Sequence, residues 1–92
     1  MRARGRRIAA SDVVIFRSAA APSDPLSLVG IAVSKAVGNA VKRNAVRRRV
    51  LAILDAELAQ RVPVRLLVVA RPSAKTASYD ALRLQIGRAL AS

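Results

Sequence analysis

The sequence predicts an α+β domain in which helices cover one side of a β-sheet. Three short runs dominated by Val, Leu and Ile, at residues 13–16, 26–33 and 64–70, have the length of strands. Two longer segments, 40–60 and 79–90, repeat apolar residues at helical spacing. Because the chain has only 92 residues, we expect one domain with a thin core.

The first predicted strand covers residues 13–16, which are β-branched or aromatic as strand residues often are. Residues 19–25 contain two prolines and an aspartate, which favour a turn. We expect this loop to join two antiparallel neighbouring strands. The runs at 26–33 and 64–70 have no alternation of polar and apolar residues, which is typical of strands buried in the middle of a sheet.

Both predicted helices have a capping residue and an apolar stripe. Asn39 and Ser78 precede them, and each side-chain oxygen can accept a hydrogen bond from the first turn. The stripes consist of Val46, Val50, Ile53 and Leu54 in the first helix and Tyr79, Leu82, Ile86 and Leu90 in the second. We expect all of these side chains, Tyr79 included, to pack against the sheet.

The composition indicates a polyanion as partner. Lys and Arg number 17 against 5 acidic residues, a formal net charge of +12, and such a charge on a small surface favours nucleic acid. The chain has no Cys and no His, so disulfides, thiolate sites and the commonest acid–base side chain are excluded. We expect residues 1–92 to form a single RNA-binding domain without catalytic or metal-binding residues of its own.

The N-terminal segment is rich in arginine. We expect residues 1–7 to be a flexible basic segment. An organelle transit peptide over residues 1–10 is the alternative, which the strand-like run that follows disfavours. No apolar run reaches the roughly 18 residues of a membrane span, so we expect a cytoplasmic protein that does not bind membranes.

Residues 35–49 form the most informative segment, because they contain six cations and no acid. Cations near a helix N-terminus are disfavoured by the helix dipole, by about 0.3–1 kcal/mol each, so an anion is expected to compensate. Helix N-termini bind phosphate with their free N–H groups. Asn44 and Arg48 are one turn apart, and Asn can accept as well as donate hydrogen bonds. The alternative is an ordinary solvated face, in which charges usually alternate in sign.

The same segment resembles the arginine-asparagine-arginine signature of bacterial ribonuclease P protein subunits. The matching residues are Val33, Ser34, Lys35, Gly38, Asn39, Ala40, Val41, Arg43, Asn44, Arg47 and Arg48. The resemblance continues, in the same order, at residues 68–72 and at the pair Ser78 and Tyr79. In total it extends from about Gly5 to Leu90.

The resemblance implies a four-stranded sheet, a left-handed β-α-β crossover and a long basic helix. It also implies that a catalytic RNA subunit, with magnesium at its active site, removes the 5′ leader of precursor tRNA, while the protein binds both RNAs and no cofactor. The implied RNA-binding residues are Ser34, Lys35, Asn39, Lys42, Arg43, Asn44, Arg47, Arg48 and Arg49. Phe16 matches an aromatic residue of the leader cleft.

The chain departs from the family pattern in four places. Ala45, Leu51 and Ala36 stand where the family has basic residues, and Arg49 stands at a usually apolar position. The family also begins with a helix of about 20 residues that this sequence does not contain. Either the chain is truncated, or its leader cleft is shallow, with Phe16 as its only aromatic residue.

Two other classes of protein fit part of the sequence. A ribosomal or ribosome-assembly protein would have the same charge excess, and only the ordered motif disfavours it. A stand-alone nuclease is disfavoured because the chain has no His and its few carboxylates have no metal-binding spacing.

Overall fold

The computed structural model describes residues 6–19, 28–59 and 64–91. The strands and helices, in chain order, are β1 (Arg6–Ala9), β2 (Val13–Ala19), β3 (Leu28–Val33), α1 (Ala40–Leu58), β4 (Val64–Ala70) and α2 (Tyr79–Ala91). A first 3₁₀ helix, Lys35–Val37, precedes α1, and a second, Pro72–Lys75, precedes α2. The predicted α+β class, with a four-stranded sheet and two helices, is confirmed.

The four strands form one mixed sheet in the order β1-β2-β4-β3. β1 and β4 both pair antiparallel with β2. β3 pairs parallel with β4, and the chain between these two strands contains α1. The prediction that β2 and β3 are neighbours is wrong, because β4 returns from α1 and enters between them. The predicted connecting loop lies outside the described residues except for Ala19. The handedness of the β3-α1-β4 crossover stays a prediction from the resemblance.

β4 is central, as predicted, but β3 is at the edge of the sheet. Leu66, Val68 and Ala70 of β4 are buried. By contrast, Gly30 and Ala32 of β3 are exposed. The apolar run of β3 is therefore not buried on both faces, because the small residues Gly30 and Ala32 lie on the face that the helices do not cover.

β1 corrects the prediction of a flexible segment over residues 1–7. Arg6 and Arg7 belong to β1 and pair with Arg17 and Phe16 of β2. Residues 1–5 of that segment lie outside the described residues. Backbone pairing therefore holds two of the N-terminal arginines at the edge of the sheet.

The core lies between the sheet and the two helices. It contains the predicted stripe of α1, three residues of the α2 stripe, and sheet residues, namely Val46, Val50, Ile53, Leu54, Leu82, Ile86, Leu90, Val13, Ile15, Leu66, Val68 and Ala70. The prediction is wrong for Tyr79, whose side chain is 43% exposed. α2 begins at Tyr79, and before it Ala74 is in the core while Ala77 is partly buried against it.

The predicted helix caps are confirmed. Asn39 Oδ1 accepts a hydrogen bond from the Lys42 N–H at 3.0 Å. Ser78 Oγ accepts one from the Ala81 N–H at 3.1 Å. Each cap satisfies one N–H that a helix start leaves without an intrahelical partner. α1 ends at Leu58, two residues before the predicted end.

Side chains of the β1–β2 hairpin and of α2 hold the sheet and α2 together. Arg17 Nη1 donates to the carbonyls of Ala89 and Leu90 at 3.2 and 3.0 Å. A cation near a helix C-terminus is also favoured by the helix dipole. Gln85 Nε2 donates to Asp12 Oδ2 at 2.6 Å, and the Asp12 N–H donates to Gln85 Oε1 at 2.9 Å. None of the helices among the described residues is long and apolar enough to span a bilayer.

Candidate nucleic-acid interface

The polar residues at the entry to α1 form hydrogen bonds with the backbone. Ser34 caps the first 3₁₀ helix, its Oγ accepting from the Ala36 N–H at 3.1 Å. Asn39 caps α1 through its Oδ1. Two of the predicted RNA-binding residues thus use an acceptor oxygen to start a helix. The Asn39 amide group is left to donate to a ligand, and Lys35 between the two caps is exposed.

Gly38 is needed between these two caps. Its φ is +145°, a conformation that residues with a side chain rarely adopt. A Cβ at Gly38 would also lie 2.9 Å from Lys42 Cδ, so the Lys42 stem passes directly over the glycine. The glycine therefore determines both the turn into α1 and the position of Lys42.

The side of α1 opposite the core presents Asn44, Arg47 and Arg48 to solvent. At about 100° per residue, Arg48 lies almost directly opposite the buried stripe. Arg47 Nη1 donates to Asn44 Oδ1 at 2.8 Å. Asn44 therefore orients Arg47, and the predicted pair of Asn44 and Arg48 is in fact a group of three side chains. We call these three residues the outward triad.

The remaining cations of the segment flank the outward triad. Lys42 is exposed, and Arg43 and Arg49 are partly buried against the fold. Across residues 6–19, 28–59 and 64–91, none of the six cations between Lys35 and Arg49 has an ion pair. A positive field without internal compensation attracts an anion to α1.

Phe16 lies elsewhere, on the side of the sheet that faces away from α1 and α2, which we call the outer face. Strand pairing places Arg7, Phe16, Leu67 and Gly30 in one row across the four strands. Phe16 and Leu67 are 40% and 43% exposed. The outer face is therefore an apolar surface with a cation at one end of this row.

A cavity of about 460 Å³ opens beside this row. Its lining residues are Phe16, Arg17, Ser18, Val29, Gly30, Arg65, Leu66 and Leu67. Gly30 lets Leu67 lie close to β3 here, since a Cβ at Gly30 would lie 3.3 Å from Leu67 Cδ1. Sequence reasoning found Phe16 but missed Leu67, Gly30 and Arg65. Only the strand register, which no local pattern encodes, brings them together.

The Ribonuclease P family model matches residues 1–92. The chain belongs to the ribonuclease P protein family. The ribonuclease P protein component of Acidothermus cellulolyticus is 38% identical over 89 residues, which cover 95% of this chain and 73% of that relative. The component from Pseudarthrobacter chlorophenolicus is 40% identical over 89 residues, covering 96% of this chain and 62% of that relative.

Solved ribonuclease P proteins have the same fold. The Staphylococcus aureus protein aligns with a TM-score of 0.81 at 24% identity, over 95% of this chain and 79% of that one. The Thermotoga maritima protein aligns with a TM-score of 0.79 at 19% identity, over 94% and 83% of the two chains. At these sequence identities, the similarity shows only that the folds are alike.

In this ribonuclease P protein the signature residues lie on α1 and in the segment that leads into it, whereas Phe16 lies on the outer face of the sheet. Three of the departures from the family pattern also lie on α1, namely Ala45, Arg49 and Leu51. Leu51 is exposed, one turn beyond the outward triad. Ala45 lines a small cavity on another side of the helix. The two predicted contact regions are therefore separate surfaces.

Proposed function

We propose that this chain is the protein subunit of ribonuclease P, which binds the catalytic RNA subunit through α1 and the 5′ leader of precursor tRNA on the outer face. The observation that carries the proposal is the unpaired cationic segment 35–49 in a member of this family. Because the other side of α1 packs in the core, the helix holds the backbone of its cations in place at the surface.

The outward triad is suited to an RNA backbone. Arg47 and Arg48 supply guanidinium groups that bind phosphate oxygens with two parallel hydrogen bonds. The Asn44 amide group donates to sugar or phosphate oxygens while its Oδ1 holds Arg47. Since contacts of this kind do not recognise bases, we expect α1 to recognise the shape and charge of the RNA.

The outer face is suited to a single strand. Exposed aromatic side chains stack unpaired bases, and apolar side chains beside them extend the contact, whereas duplex RNA offers no free base faces. Phe16 and Leu67 provide this surface, and Arg7 lies next to Phe16 on β1. The 5′ leader of precursor tRNA is a single strand that would fit this surface.

In this proposal the chain contributes binding and no chemistry. Magnesium supports hydrolysis at the active site of the RNA subunit, and no residue of this chain is assigned a catalytic or metal-binding role. The protein would act in the cytoplasm, on precursor tRNA and the RNA subunit together.

Reconstitution tests the proposal. Purified protein and the ribonuclease P RNA from the same genome are assayed for leader removal from a precursor tRNA at low magnesium. We expect cleavage to increase strongly when the protein is added, and the RNA that copurifies with it from cells to be the same ribonuclease P RNA. No increase in cleavage, together with copurified ribosomal RNA, would support the ribosomal alternative instead.

A further inference from the structure

A second cavity, of about 260 Å³, lies between α1 and the segment that precedes α2. Its lining residues are Lys42, Ala45, Val46, Arg49, Lys75 and Thr76. Lys42, Ala45 and Arg49 line it from one side of α1, at spacings of three and four residues. Lys75 and Thr76 come from the end of the second 3₁₀ helix, which packs against α1. We call this site the α1 side cavity.

Three of its six lining residues are cations and none is acidic. Among the described residues, the side chains of Lys42, Arg49 and Lys75 have no hydrogen bond or ion pair. Arg49 is partly buried, and its guanidinium has no partner among the described residues. Like charges collected around one concave site raise its positive potential, and an anion in the cavity would relieve this repulsion.

The cavity is distinct from the outward triad. At about 100° per residue, Arg47 and Arg49 project roughly 160° apart around the axis of α1. An anion held by Arg49 in the cavity is therefore not shared with Arg47, and neither Arg47 nor Arg48 lines the cavity. Ala45, with its small side chain, leaves room between Lys42 and Arg49.

We propose that the α1 side cavity binds one backbone phosphate of RNA, held by Lys42, Arg49 and Lys75. The Thr76 hydroxyl already donates to the Ser73 carbonyl at 3.2 Å, so the three cations are the donors. The proposal rests on the proposed function in requiring RNA as the partner. It adds Lys75, which is far from residues 35–49 in sequence, to the RNA-binding surface.

The test compares Lys75→Gln with Arg88→Gln. Both changes remove one exposed cation, but Arg88 lies on α2 and does not line the cavity. Binding to the ribonuclease P RNA is measured across a salt series. One lost phosphate contact lowers the salt slope by about 0.7–0.9, equivalent to roughly sixfold weaker binding at 0.1 M salt. We expect this loss for Lys75→Gln, near-normal binding for Arg88→Gln, and recovery of binding for Lys75→Arg.

Binding is measured in two arms to identify which RNA supplies the phosphate. In the first arm the protein binds the RNA subunit alone, and in the second the protein–RNA complex binds precursor tRNA. A loss confined to Lys75→Gln in either arm supports the proposal and names the source. A titration with inorganic phosphate, followed by the amide NMR signals of Ala45, Lys75 and Thr76, provides an independent readout. We expect shifts that Lys75→Gln abolishes.

Equal binding by Lys75→Gln and Arg88→Gln in both arms would overturn the proposal. This comparison requires that the wild-type protein binds RNA with a steep salt dependence and that Arg48→Ala weakens RNA binding. A wild-type protein that binds the ribonuclease P RNA no better than an unrelated RNA would instead overturn the proposed function. Circular dichroism and thermal melts confirm that each variant is folded.

Discussion

Arg47 donates a hydrogen bond from Nη1 to Asn44 Oδ1 at 2.8 Å, one turn apart on the exposed side of α1. Both side chains are solvent-exposed, so this bond contributes little to the stability of the fold. Its effect is to restrict a long side chain that would otherwise sample many rotamers. Because the Arg47 side chain is already restricted before RNA binds, less conformational entropy is lost when it contacts RNA.

The first prediction concerns this bond. Asn44→Ala frees Arg47 and removes the Asn44 contact, so we expect RNA affinity to fall by about 1 kcal/mol. The double variant with Arg47→Ala should lose less than the sum of the single losses, by about 0.5 kcal/mol or more. Filter binding of the four proteins completes the cycle. Strictly additive losses would show that the two side chains act independently.

Arg48 is expected to contribute more than an arginine outside the interface. It lies opposite the anchored stripe of α1, so its side chain leaves the helix on the side farthest from the core. We expect Arg48→Ala to cost about 1–3 kcal/mol of RNA affinity, and Arg88→Ala on α2 only a few tenths. Titrations at one fixed salt concentration measure both. Equal losses would mean that the fold contributes bulk charge alone.

The salt dependence of wild-type binding is a third prediction. With roughly four to six phosphate contacts from α1, the slope of log K against log salt should be about −3 to −5, because each contact releases counterions. Binding isotherms between low and physiological salt provide the slope. A slope near zero would contradict an interface built on residues 35–49.

Phe16 provides a test of the outer face. Phe16→Leu keeps an apolar side chain but removes the aromatic ring, and base stacking contributes about 1–3 kcal/mol per base. We expect the variant to bind precursor tRNA less tightly in the complex, while mature tRNA, which lacks the leader, binds unchanged. The side chain is 40% exposed, so stability should change little. An equal loss for both tRNAs would place the role of Phe16 outside leader binding.

Two glycines make a matched pair for stability. Gly38→Ala combines a strained φ of +145° with a contact of 2.9 Å to Lys42 Cδ, so we expect a loss of about 1 kcal/mol or more. Gly87→Ala, inside α2, would place its Cβ 3.7 Å from Glu57 Oε1, an ordinary contact. It should stabilise the fold by up to about 1 kcal/mol, the difference in helix propensity. Urea unfolding measures both changes, and a neutral Gly38→Ala would show that the turn into α1 tolerates a side chain.

Features that depend on neighbouring residues were predictable from the sequence. The caps Asn39 and Ser78 and the apolar stripe of α1 follow from backbone hydrogen bonding and from 3.6-residue periodicity, both of which act within a few turns. The cationic segment was predictable for the same reason, since charge is a property of the residues themselves. Tyr79 is an exception to the periodicity of α2: it has the spacing of the buried stripe, but as the first residue of the helix it does not reach the core.

The sequence by itself determined β2, β3, β4, the two helices, the charge of α1 and the resemblance to the ribonuclease P family, but not β1. Only the tertiary structure decided which strands are neighbours, which of them is central, and that Lys75 shares a cavity with Lys42 and Arg49. The physical reason is that strand pairing and cavity formation join residues far apart in the chain. A run such as β3 has the same composition at the edge of a sheet as in its centre, and only its partners distinguish the two.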